Sequence, residues 1–232
     1  MTVIASAIPV SFLPQLNALA GGLFLLCTFG MVATRQVQGC MRLFIWQSVF
    51  LALSAFLLGL HPVVWDLLGV GAINLINKPI LIPWLLRKTV PGEVYTRREI
   101  EQALNIPISL LMSLGLAIAA YLITSPWLKI PAGPSVGVNL PIGLAALLLG
   151  AFTLTVRREA VPQLLGLLSM ENGAFFASIA LAPTLHLFIE LVVAFDVLIA
   201  VFVIGVLTRA MQEHIGTTNV GSLATLKEEP RP

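Results

Sequence analysis

Charged residues are scarce in this chain of 232 residues, since Asp, Glu, Lys and Arg make up 10% of it, whereas an ordinary soluble domain contains about 25%. The net charge of +2 is too small to indicate a nucleic-acid-binding protein. Hydrophobic residues make up 58% of the chain, and the mean hydropathy is +0.96. One globular core cannot bury so much apolar surface, so the composition predicts a polytopic membrane protein.

Cysteine is nearly absent as well. Cys27 lies within the first apolar run, Cys40 is expected in the short loop after it, and neither has partners at metal-ligand spacing. Because iron–sulfur and zinc sites need grouped ligands, we expect no metal or redox cofactor in this chain. The first charged residue is Arg35, so the N-terminus lacks the positive region of a secretory signal peptide. The sequence also lacks a nucleophile–base constellation and a phosphate loop, which makes an independent enzyme the least favoured class.

Long apolar runs, in contrast, are abundant. A membrane-spanning helix needs about 17–25 mostly apolar residues. The sequence therefore predicts an all-α fold of seven transmembrane helices, at approximately 12–34, 43–60, 64–86, 102–124, 139–156, 161–182 and 184–208. The polar, Pro-terminated segment 209–232 is expected to be a flexible tail.

The positive charges predict the orientation of these helices. If the N-terminus is outside, Lys129 is the one basic residue of the outer loops, and Lys78 lies within a span. Such an excess of inner charge predicts an outer N-terminus and a cytoplasmic C-terminus. The basic residues then on the inner side are Arg35, Arg42, Arg87, Lys88, Arg97, Arg98, Arg157, Arg158, Arg209, Lys227 and Arg231.

Three ionisable residues interrupt the spans near the predicted membrane midplane. A helical rise of about 1.5 Å per residue places Glu171, Asp196 and Lys78 roughly 16, 18 and 21 Å from the outer ends of their spans. Pro79 directly follows the lysine, so the third span is expected to be irregular there. Supporting polar residues are Asn74, Asn77 and Asn172, and His186 and Glu190 share one face of the seventh span as an outer continuation.

Charged groups inside a membrane typically mark ion pathways or proton relays. The sequence therefore predicts a proton pathway formed by Lys78, Glu171, Asp196, Glu190 and His186. The alternative is a structural role, because a buried Lys–Asp or Lys–Glu pair and asparagine hydrogen bonds can fix the register of packed helices without conducting anything.

The last three predicted spans resemble a known family of small membrane subunits. The stretches "TVRREAVPQLLGLLSMENGAFFAS" and "FIELVVAFDVLIAVFVIGVLTR" each place an acid within a helix. They look like the K subunit of respiratory complex I and the C subunit of multisubunit cation/proton antiporters, three-helix proteins with a buried carboxylate on two consecutive helices. Asp196 matches the second of these carboxylates. When "RR" and "LLGL" are aligned with those subunits, Leu168 stands at the position of the first carboxylate, and Glu171 follows about 4.5 Å further along the helix.

The stretches "INKPILIPWLLRK" and "SMENGAFFAS" resemble component E of the hydrogenase-4 type, and the resemblance extends over nearly the whole chain. That resemblance implies a non-catalytic subunit of a group 4 hydrogenase or formate hydrogenlyase complex in the cytoplasmic membrane of a bacterium or archaeon. Its implied partners are antiporter-like membrane subunits, lipids and a peripheral redox module that holds the nickel–iron and iron–sulfur centres. The implied organisation is a four-helix part at 1–124, a K-subunit-like part at 125–208 and the tail.

Several alternatives remain open at this point. The chain is expected to help couple partner redox chemistry to proton or sodium movement, but a cation/proton antiporter subunit and a non-conducting scaffold fit the same residues. A stand-alone transporter is less favoured, because the seven predicted spans contain no inverted repeat with matched helix breaks.

Overall fold

The computed structural model describes residues 12–60, 63–89, 102–129 and 134–181, together with Gly205. Regular structure within these ranges is helical, apart from isolated bridge pairing such as that between Gln102 and Arg157. The all-α prediction is confirmed for this part of the chain. The elements are α1 (Leu13–Ala33), α2 (Val37–Leu60), α3 (Trp65–Ile76), a π-helical segment (Asn77–Leu81), α4 (Ile82–Thr89), α5 (Ile106–Thr124), a 3₁₀ turn (Trp127–Lys129), α6 (Pro134–Val156) and α7 (Ala160–Leu181).

Helices long and apolar enough to cross a membrane occur at the first five predicted spans. The third of them runs through α3 and the π-helical segment into α4. Helix α7 coincides with the sixth predicted span and has Glu171 and Asn172 at its centre. Apart from Gly205, the seventh predicted span lies outside the described residues, so the count of seven and the orientation stay predictions. Among the described residues, the candidate spans are Leu13–Ala33, Val37–Leu60, Trp65–Trp84, Ile106–Thr124 and Gly137–Val156.

The structure corrects the expected start of the second span. Helix α2 begins at Val37 rather than at residue 43, so Cys40 lies within a helix and is fully buried, not in a loop. The charge of Arg42 suggested a loop, but that side chain is exposed while Val37, Cys40 and Phe44 are buried. A helix can keep one long charged side chain at its polar edge while its other face packs.

The fourth span also begins later than expected. Helix α5 starts at Ile106, with Pro107 in its first turn, where a missing N–H leaves no helical hydrogen bond unmade. Residues 102–105 are not helical. There the N–H of Ala103 donates to the carbonyl of Val156 at 3.0 Å, which ties the segment to the end of α6.

Helices α6 and α7 pack against each other in antiparallel directions through a seam of glycines. A Cβ atom on Gly143, Gly150 or Gly173 would overlap the backbone of the opposing helix, and one on Gly166 would lie 2.8 Å from the N atom of Leu154. Small residues of this kind let membrane helices approach closely, so that dispersion forces act along the whole contact. The seam therefore sets the position of the polar centre of α7 against α6.

Two apolar clusters fill the interior of the bundle at different heights. Both draw residues from α1, α2 and α7 and from the third span, so each helix contributes apolar side chains above and below its middle. One cluster includes Met31, Met41, Phe44, Ile82, Leu165 and Leu168, and the other includes Phe24, Leu51, Val70, Phe175, Phe176 and Ile179.

Candidate charged site between the helices

Lys78 lies where the third span departs from α-helical geometry. The structure places it in the π-helical segment Asn77–Leu81, directly before Pro79. Proline lacks an N–H and clashes with the preceding turn, and a π-helical turn is a common way to absorb such a break, frequently at functional sites. The predicted irregularity of this span is confirmed.

The side chain of Lys78 is fully buried and contacts α7. Its Nζ donates a hydrogen bond to Oδ1 of Asn172 at 2.8 Å. The same atom lies 3.6 Å from Oε1 of Glu171 and 5.7 Å from the ring centroid of Phe175. The ammonium therefore meets an amide oxygen, a carboxylate and an aromatic face, each of which stabilises a cation. Lys78 and Glu171, which the sequence placed at one depth, do meet.

Glu171 is the more accessible member of this ion pair. Its side chain is 20% exposed, whereas that of Lys78 is 0% exposed. Its Oε1 atom, which faces Lys78, is itself buried, so the exposed part of the Glu171 side chain lies away from the lysine. This asymmetry distinguishes the pair from a fully sealed salt bridge.

Asn172 connects the ion pair to α2. Its Nδ2 donates to Oε1 of Gln47 at 3.3 Å and to Oγ of Ser48 at 3.1 Å. Gln47 continues the chain, because its Nε2 donates to Oγ1 of Thr28 and to Oγ of Ser169, both at 2.8 Å. We call the seven residues joined in this way the polar layer: Thr28, Gln47, Ser48, Lys78, Ser169, Glu171 and Asn172.

Sequence reasoning missed the uncharged half of the polar layer. Thr28, Gln47, Ser48 and Ser169 are all buried. The available signal was a glutamine within an apolar span, since a buried amide in hydrocarbon needs partners. Its partners lie on other helices, and no spacing within one segment reveals them.

The polar layer lies between the two apolar clusters. On α1, Thr28 is flanked by Phe24 of one cluster and Met31 of the other. On α7, Leu168 and Phe175 flank Asn172 in the same way. Apolar side chains above and below keep the local dielectric constant low, which strengthens the hydrogen bonds and the ion pair.

The two predicted supporting asparagines of the third span differ in what the structure shows. Asn74 is buried one turn before Lys78, and within the described ranges neither its Oδ1 nor its Nδ2 has a hydrogen-bond partner. Asn77 begins the π-helical segment. Asp196, Glu190 and His186, the other predicted pathway residues, lie outside the described residues, so their place in the pathway stays a prediction.

A second polar cluster, which we call the neutral ring, joins α1, α2 and α6. Asn17 donates from Nδ2 to Oδ1 of Asn139 at 2.7 Å, and Asn139 donates from Nδ2 to Oγ of Ser54 at 3.2 Å. Ser54 completes the ring by donating to Oδ1 of Asn17 at 2.6 Å. Each member donates once and accepts once, so the ring is satisfied without any charge.

Arg157 is one of the basic residues assigned to the inner side, but it does not act as a loop charge. Its guanidinium is buried, and Nη2 donates to the carbonyls of Met31, Val32 and Thr34 at 2.7, 3.1 and 2.7 Å. These carbonyls belong to the end of α1, where helical partners are missing and a cation is favourable. Burial lowers the pKa of the Arg157 guanidinium, and nearby Cys40 and Glu159 act in the opposite direction.

The described residues contain no group of three or more His, Cys, Asp or Glu side chains that could hold a metal ion. Cys27 and Cys40 are free thiols on α1 and α2. The expectation that redox cofactors belong to partner subunits stays a prediction.

Comparison with known proteins identifies relatives over most of the chain. Uncharacterized protein Rv0085 of Mycobacterium tuberculosis is 33% identical over 209 residues, which are 90% of this chain and 94% of that protein. Hydrogenase-4 component E of Escherichia coli K12 and the same component of Shigella flexneri are each 27% identical over 189 residues, 78% of this chain and 80% of theirs.

No family model matches the chain, and no solved structure matches it. The resemblance to the complex I K subunit and the antiporter C subunit therefore stays a prediction. The relative from M. tuberculosis covers both halves of the bundle, including the polar layer, at an identity that shows common descent. The chain belongs to the family of M. tuberculosis Rv0085, and it is more distantly similar to hydrogenase-4 component E.

Proposed function

We propose that this chain is a non-catalytic membrane subunit of a hydrogenase-type complex and that its polar layer takes part in proton or sodium translocation. The similarity to hydrogenase-4 component E supports the first part. The second part depends on the ion pair of Lys78 and Glu171, at 3.6 Å inside an apolar bundle. Charged side chains within membrane helices are costly and are retained mainly where they move ions or stabilise their passage.

In this proposal Glu171 exchanges the ion, and Lys78 is the fixed positive charge that regulates it. Movement of charge in a neighbouring antiporter-like subunit would change the field at Glu171, because charges in a low-dielectric interior interact over long distances. Asp196, Glu190 and His186 would continue the pathway, as predicted from the sequence. The nickel–iron and iron–sulfur chemistry would take place in partner subunits, at the cytoplasmic membrane of the host.

The experiment is to replace Glu171 with glutamine in the native complex and to measure proton or sodium uptake by inverted membrane vesicles during substrate oxidation. Glutamine keeps the shape and loses the exchangeable charge. We expect translocation to fall about tenfold or more, with the complex still assembled. The matched control is Asp66→Asn, which also converts a carboxylate into its amide but lies at the start of the third span. Unchanged translocation in Glu171→Gln would falsify the role of Glu171.

A structural scaffold is the second candidate, because the hydrogen bonds of the polar layer join α1, α2, α7 and the third span. Such bonds fix helix register without conduction. This candidate predicts the reverse outcome: Glu171→Gln would reduce the yield of assembled complex and leave the ion-to-electron ratio of the remainder unchanged. An antiporter subunit would instead be recovered with antiporter-like subunits and without a redox module.

A further inference from the structure

Two backbone carbonyls determine which way the side-chain amides of the polar layer face. The hydroxyl of Thr28 donates to the carbonyl of Phe24, and the hydroxyl of Ser48 donates to that of Phe44, each at 3.0 Å. A hydroxyl has one proton. Because both protons are used within their own helices, the oxygens of Thr28 and Ser48 can only accept hydrogen bonds from the amides that face them.

This restriction passes from one amide to the next. Nε2 of Gln47 must face Thr28, at 2.8 Å, so the oxygen of Gln47 faces Asn172. Nδ2 of Asn172 then faces both Gln47 and Ser48, which leaves its Oδ1 to face Lys78 at 2.8 Å. The amide N–H groups of Gln47 and Asn172 that make these hydrogen bonds therefore point away from Lys78.

An acceptor is what an ammonium group requires, because it has three donors and no acceptor. We infer that Thr28, Gln47 and Ser48 are positioning residues that, through Asn172, hold the amino group of Lys78 beside Glu171 and close the route toward α1 and α2 to protons. Carboxamides have no titratable proton, so the hydrogen-bonded amides of Gln47 and Asn172 do not relay one. Exchange takes place on the opposite side, through Glu171, which is 20% exposed.

The role of exchange rests on the proposed function, whereas the anchoring of Lys78 is tested independently of it. The probe is a hydrophobic carbodiimide, which modifies protonated carboxyl groups. Membranes that contain the intact complex are treated at neutral pH, and the modified fraction of Glu171 is measured by peptide mass spectrometry. With Nζ of Lys78 held 3.6 Å from its Oε1, Glu171 is expected to react slowly with this probe.

Thr28→Val removes the oxygen that orients Gln47 and keeps the shape of the side chain, and Gln47→Leu removes the amide. We expect each change to raise the modified fraction of Glu171 about fivefold, the effect of losing one hydrogen bond. Thr28→Ser retains the hydroxyl and should restore the original value. The matched control is Thr153→Val, since Thr153 is a buried threonine whose hydroxyl also donates to the carbonyl four residues earlier, outside the polar layer.

Lys78→Met provides the upper reference for the modification of Glu171. The inference is overturned if Lys78→Met raises modification while Thr28→Val and Gln47→Leu do not, because the anchor is then unnecessary. It is equally overturned if Lys78→Met has no effect, because Lys78 then does not protect Glu171 from the probe. If the modification responds as expected and Glu171→Gln still translocates ions normally, the proposed function fails and the anchoring stands.

Discussion

The neutral ring and the polar layer are both buried, both link several helices, and both share α1 and α2, yet they are built differently. The ring of Asn17, Ser54 and Asn139 closes on itself and contains no charge. The layer contains the ion pair of Lys78 and Glu171 and ends at Glu171, whose side chain is partly exposed. A closed neutral ring stabilises helix packing, whereas a charged layer costs desolvation energy that packing alone does not require.

The largest expected effect is that of Lys78→Met, which removes the cation from the layer. Glu171 and Oδ1 of Asn172 would lose their buried partner, and breaking such a pair from one side costs about 3 kcal/mol or more. We expect a lower thermal stability of the complex and a loss of ion translocation beyond about tenfold. Arg42→Met is the control, because Arg42 is exposed. Normal translocation in Lys78→Met would remove the functional distinction between the two clusters.

A smaller effect is expected from Asn139→Leu, which opens the neutral ring. Asn17 and Ser54 would each lose one hydrogen-bond partner, at a cost of about 2 kcal/mol in the free energy of unfolding. Translocation per assembled complex should be unchanged. Stability is measured by thermal unfolding in mild detergent, and translocation is measured as proton or sodium uptake by vesicles.

The double variant Asn17→Leu/Asn139→Leu sharpens the same test. Because it removes two partners together, its loss of stability should be less than the sum of the two single losses. A translocation defect in either single variant at normal assembly would contradict the assignment of the ring to packing.

The smallest effect is expected from Asn74→Leu. Asn74 is buried beside the polar layer, but within the described part of the chain its amide makes no hydrogen bond. Replacing it with an apolar side chain of similar size should leave the free energy of unfolding unchanged or raise it by about 1 kcal/mol. A loss of more than about 2 kcal/mol would show that the amide has a partner elsewhere in the assembly.

Sequence reasoning performed best where a feature belongs to a single segment. Apolar length predicted the first five spans and the helix at α7, and Pro79 predicted the break at Lys78. It was wrong about Cys40 and the start of α5, because a helix end depends on which face packs and not only on where charges lie. It missed Gln47, since the hydrogen-bond partners of that amide lie on other helices and are not visible in its own segment.

The sequence by itself determined a membrane protein whose described part is helical and has a glutamate and a lysine inside apolar helices, because composition and run length are properties of each segment alone. Only the tertiary structure decided that Lys78 meets Asn172 and Glu171 rather than lipid. It also decided that two helix carbonyls, those of Phe24 and Phe44, orient the amides around the lysine. The physical reason is that hydrogen-bond partners follow from the rotation and spacing of packed helices, which the glycine seam of α6 and α7 helps to set.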